Sequence, residues 1–128
     1  MSEFYRFPAM AGLKEYSTMQ QANHIASEAR EVIEAALKMR MSYAHANDTL
    51  VREDFDEADN DRCEYGKELM DIIHSAETAL RMGFSDEQVD RLRELVIEKN
   101  ATRGYYDAEY QWKDSEMTIG DSIEGKAQ

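Results

Sequence analysis

From Thr18 to about Ala46, apolar residues recur at Ala22, Ile25, Ala29, Val32, Ile33, Ala36 and Leu37. Steps of three and four place them on one side of a helix roughly 40 Å long. Ser17, just ahead of the run, is suited to cap it. A second helical period starts at about Glu57 or Arg62 and runs to Met82, with Leu69, Ile72, Ile73, Ala76 and Leu80 as its core stripe. Gly83 is placed as its C-terminal cap. A compact start signal follows: Ser85 as N-cap, Gln88 closing a capping box, and Phe84 set to staple onto Val89. The third helix carries Val89, Leu92, Leu95 and Val96 and ends near Asn100, with Gly104 beyond it.

Between the first two helices, residues 47–61 are acidic and poor in apolar side chains, which predicts a loop with one helical turn at most. Asp54, Asp56 and Asp59 superficially resemble an EF-hand loop. The glycine such a loop needs at its sixth position is missing, and the oxygens are wrongly spaced. Residues 1–16, with Phe4, Tyr5, Phe7, Pro8, Met10 and Leu13, predict an ordered arm or a short first helix. The segment from Tyr105 holds three tyrosines and Trp112, then turns polar after Lys113. One all-α domain over residues 1–128 accounts for the pattern. It is an antiparallel helical bundle with an arm (1–16), a core (about 17–106) and a tail (107–128).

Composition sharpens this picture. One proline and six glycines in 128 residues leave few breakers, as long helices require. A hydrophobic content of 42% is enough for a core in a single domain of this size. Apolar residues spread broadly around the helices, and the aromatic tail adds more, so the bundle is expected to be completed by oligomerisation into a homodimer or homotetramer. The formal charge is −12, from 27 acidic and 15 basic residues. Such a surface repels a phosphate backbone and argues against polymeric nucleic acid, while drawing in divalent cations. An anionic ligand binds only where metal neutralises the site. Cys63 is the single cysteine, which excludes an intrachain disulfide and a four-cysteine zinc site, and it reads as a small buried or half-buried residue. The first residues, MSEFYRFPAM, lack the apolar centre of a signal peptide, and no apolar run approaches membrane-spanning length. No membrane association and a cytoplasmic location are the expectation.

The chemistry-bearing residues are carboxylates. In SEAREVIEAALK, Glu28 and Glu31 are three residues apart and share a helix face beside the apolar stripe, whereas Glu34 points away. In YGKELMDIIH, Glu68 and Asp71 repeat the spacing on the second helix. Antiparallel packing along the stripes brings the two pairs together. Four crowded carboxylates repel, and bound divalent cations are the usual remedy. Oxygen-only ligands favour Mg2+, with Mn2+ as a substitute, over zinc. By itself the spacing is equally that of a solvated acidic face. His74, three residues after Asp71, reads as a packing residue rather than a catalyst, and His24, His45 and Cys63 share no metal-ligand spacing.

The combination of SEAREVIEAA (27–36), KELMDIIHSAETAL (67–80) and VIEKNATRGYY (96–106) resembles the MazG-like, all-α nucleotide pyrophosphohydrolase superfamily. Its hallmark is Glu-x-x-Glu on one helix, Glu-x-x-Asp on the next, and a basic segment near Lys-Asn. Position by position, the resemblance implies that Glu28, Glu31, Glu68 and Asp71 bind metal and carry catalysis. It further implies that Lys99, Asn100 and Arg103 contact substrate. The implied reaction is magnesium-dependent hydrolysis of a nucleoside or deoxynucleoside triphosphate to monophosphate and pyrophosphate, by attack of water at the α-phosphorus. The chain departs from the pattern at Ser27, where a further glutamate is common, and in a longer gap between the acidic pairs. Two alternatives stay open: a phosphoribosyl-ATP pyrophosphohydrolase, and a non-enzymatic acidic helical adaptor that binds a basic partner.

Overall fold

The computed structural model describes residues 2–106, and among them every regular element is helical. A single 3-10 turn, Leu13–Glu15, precedes α1 (Thr18–Thr49), α2 (Arg52–Gly83) and α3 (Asp86–Thr102). The all-helical class is as the periodicity predicts. The chain forms two compact units, one of residues 5–84 and one of residues 2–4 with 85–106.

The first unit is built on an antiparallel hairpin. Both helices are 32 residues long, about 48 Å at the helical rise. Ser17 caps α1 through a complete box: its hydroxyl accepts from the Gln20 backbone N–H, and the Gln20 side chain accepts from the Ser17 N–H. The helix stops at Leu50, which sits in the left-handed region at φ 58 and whose N–H closes on the Ala46 carbonyl. Val51 is extended, and α2 starts at the next residue.

Residues 47–61 are therefore not a loop. Residues 47–49 end α1, Leu50 and Val51 are the whole connection, and residues 52–61 are the first third of α2. Its acids are held from both sides. Glu53 and Asp54 lie in the first turn, where the helix dipole favours negative charge. Asp54 accepts from Thr49 Oγ1 at 2.6 Å and lies 3.4 Å from His45 Nε2, Asp59 accepts from the Tyr43 hydroxyl, and Asp61 accepts from Ser42 Oγ while Lys38 Nζ stands 3.7 Å away. Partners descend along α1 as they ascend along α2, and Gln21 Nε2 continues the series by donating to the Ser75 carbonyl. That order is the antiparallel register.

The interface between the helices is made of small and polar residues. Ala46 and Ala58 are fully covered and let the backbones approach closely, and Gln21, Asp61 and Ser75 are buried as well; Thr78 is buried too, while Glu77 is buried against the segment before α1. The apolar stripe read from the sequence is only partly inside. Ile25, Val32, Ile72, Ala76 and Leu80 are half-buried, but Ile33, Leu37, Leu69 and Ile73 are exposed. Two helices present one seam to each other, too narrow for a stripe that broad. Gly83 is the last residue of α2 rather than a left-handed cap, and the extended Phe84 closes the helix through its N–H to Leu80. Cys63 is exposed, against the expectation of burial, because it lies away from the seam.

In the second unit, Ser85 and Gln88 form the foreseen capping box on α3. Val89 is buried, and Ser2 Oγ donates to Asp90 Oδ1 at 2.7 Å. The helix runs two residues past Asn100, and Gly104 follows in the left-handed conformation at φ 75. The tail 107–128 lies outside the described residues.

Candidate metal centre

The hairpin register sets Glu28 of α1 opposite Glu68 and Asp71 of α2. One oxygen from each of these three lies within 4.8 Å of the other two. Opposite oxygens in an octahedral Mg2+ shell stand about 4.2 Å apart, and carboxylate rotors readily close so small a difference. The all-oxygen donor set suits Mg2+ or Mn2+.

Proximity alone would describe any acidic patch. Two of these groups carry more: Glu28 Oε1 and Glu68 Oε1 are inaccessible to solvent and have no hydrogen-bond partner. The Glu28 side chain is only 14% exposed, and its other oxygen lies 3.1 Å from His24 Nε2. A buried carboxylate oxygen without a donor is costly, so such atoms in a native fold call for a cation or an ordered water. The Glu68 carboxyl is held above the usual glutamate range. Burial is the largest cause, followed by the Glu31 charge, the Asp71 charge, a hydrogen bond with Glu31, and the Glu28 charge. Lone buried oxygens and mutually repelling acids are what a cation relieves.

Glu31 is exposed and is not one of the three grouped oxygens, but it adjoins them: its charge and a hydrogen bond both act on the Glu68 carboxyl. Lys99, Asn100 and Arg103 belong to the other compact unit, at the end of α3. There the Arg103 N–H closes on the Lys99 carbonyl and the Tyr105 N–H on that of Asn100, with Lys99 and Arg103 exposed.

A cavity of about 430 Å3 adjoins the carboxylates, with Glu28, Asp71 and His24 in its wall. Tyr16 and Met10 line it from the segment before α1, Gln20 and Gln21 from the first turn of α1, and His74 and Ser75 from α2. A larger hollow of about 490 Å3 lies nearer the hairpin turn, lined by Leu37, Met41, His45 and Asp54 among others. It contains neither of the unpartnered buried oxygens, so the smaller cavity is the better candidate despite its size. His24 shares no metal-ligand spacing with His45 or Cys63, but its spacing of four from Glu28 is that of neighbours on a helix face. His74 is braced by the Phe7 ring at 5.0 Å, consistent with a packing role.

No family model matches the chain, and neither a curated protein nor a solved structure matches it. No helix among the described residues is long and apolar enough to cross a membrane.

Proposed function

We propose that the chain is a magnesium-dependent nucleotide pyrophosphohydrolase of the MazG-like type, cleaving a nucleoside or deoxynucleoside triphosphate between the α- and β-phosphates. The observation that carries the site is the pair of buried, unpartnered oxygens on Glu28 and Glu68, two residues that with Asp71 each bring one oxygen to a common point beside a nucleoside-sized cavity. A solvated acidic face, or an adaptor presenting its charges to a basic partner, has no use for carboxylate oxygens shielded from water. The reaction class comes from the resemblance of the paired acids and of the Lys99–Arg103 segment.

Glu28, Glu68 and Asp71 hold the cation in this reading, and Glu31 adds charge from its margin. Bound there, Mg2+ supplies charge neutralisation for the triphosphate and activation of a water nucleophile. The chain's own residues do the rest. The carboxylates hold the group that receives the phosphates, and the cavity walls exclude water from the nucleoside. Intracellular nucleotides as substrate place the protein in the cytoplasm. The exposed Ile33, Leu37 and Met41 on α1, with Leu69, Met70 and Ile73 on α2, support a homodimer or homotetramer.

A panel of nucleoside triphosphates with Mg2+, scored for pyrophosphate and monophosphate, tests the proposal. In oxygen-18 water the label is expected in the monophosphate. Diphosphate and orthophosphate as primary products would refute attack at the α-phosphorus.

A further inference from the structure

The segment leading into α1 has almost no regular structure, yet α2 grips it. Glu77 is 3% exposed, and its two oxygens accept the consecutive backbone N–H groups of Arg6 and Phe7, each at 3.0 Å. One turn on, Arg81 Nη2 donates to the Phe7 carbonyl at 3.0 Å, and its guanidinium lies 3.9 Å over the Tyr5 ring. Hydrogen bonds to a buried charge are the strong ones, and two of them here fix a stretch of backbone that no helix or sheet fixes. The clip has a consequence at the other end of the segment. Phe7 packs against His74, and His74 and Met10 both line the cavity beside Glu28 and Asp71. The acid that holds the arm thus holds one wall of that cavity, at a distance from the metal ligands.

We propose that Glu77 is a positioning residue for the organic part of the substrate: by clipping Arg6 and Phe7 it sets the arm so that His74 and Met10 close the cavity against a nucleoside. This rests on the pyrophosphohydrolase reading of the carboxylates. Glu77 touches neither phosphate nor metal in this account. Its loss weakens nucleotide binding and spares the chemical step, the pattern expected when binding shared by ground and transition states is removed.

The test uses the full chain with Glu77→Gln, which retains volume but turns an amide NH2 toward one of the backbone donors, and Phe7→Ala, which removes the brace on His74 and leaves Glu77 intact. With the best triphosphate of the panel, both variants should raise KM about tenfold and keep kcat within about twofold. Inorganic tripolyphosphate, which has phosphates and no nucleoside, should inhibit parent and variants equally. Mn2+ affinity, read by electron paramagnetic resonance, should not move. An unchanged KM in both variants, or an equal loss of tripolyphosphate affinity, would overturn the role of the clip while leaving the metal site standing. A parent chain that binds Mn2+ no better than Glu28→Gln or Glu68→Gln and turns over no triphosphate would overturn the site reading, and this inference with it.

Discussion

Glu68 is where the chemistry of the site is most exposed to test, because its charge is disfavoured by every neighbour except a cation. Glu68→Gln keeps shape and removes a ligand charge, so turnover should fall at least about a hundredfold. Glu34→Gln, in the wall of the other hollow and outside the carboxylate group, should match the parent. Equal activity in the two variants would remove the site from this face. The raised carboxyl also fixes the sign of a pH effect. A carboxyl whose pKa rises on folding binds its proton more tightly in the folded chain, so its contribution to metal-free stability is greatest in acid and is lost as pH rises through the raised value. The cation needs the carboxylate form, and its affinity therefore falls as pH drops through the same window, above the ordinary glutamate range. The rise in melting temperature caused by Mg2+ should be larger at about pH 7.5 than at about pH 5. Glu68→Gln should flatten that difference, and a Mg2+ effect independent of pH in the parent would sink the argument.

At the scale of elements, the hairpin turn carries a measurable strain. Leu50 is 76% exposed and left-handed, a conformation that costs a residue with a Cβ about 1 kcal/mol. Leu50→Gly loses little packing and should raise unfolding stability by roughly 0.5–1 kcal/mol in urea titration. A loss of stability would mean that Leu50 is covered by something in solution. The same turn shows where the sequence could be read and where it could not. The Ser85–Gln88 box and the Ser17 cap were legible because their determinants lie within four residues, while the part Gln20 plays in closing the first box was not read. The acidic run 47–61 read as a loop because the groups that hold it, Tyr43, Ser42 and Lys38, come from the antiparallel neighbour. The acidic pairs were visible as i and i+3 spacings, and register brought three of the four oxygens together. The Glu77 clip depends on contacts about seventy residues apart in sequence, which periodicity does not encode.

At the scale of the whole molecule, the largest disparity is between the apolar stripe the sequence provides and the seam the hairpin closes. Fully buried apolar residues among those described are only Ala46, Ala58 and Val89, while Ile33, Leu37 and Met41 stand 60%, 52% and 71% exposed at successive steps of four along α1. Residues four apart share a face, so these form one continuous strip rather than scattered single side chains. Burying such a strip against its own copy is the simplest closed arrangement, since a twofold axis asks only that the surface complement itself. Light scattering should return two or four times the 14.8 kDa of the chain at micromolar concentration. Leu37→Glu places a charge in the strip, on a chain already at −12, and should shift the mass toward the monomer. Because Leu37 lies outside the carboxylate group, Mn2+ binding should survive in that variant even if the assembly does not. A parent chain that is monomeric and fully active would show that the strip serves another purpose.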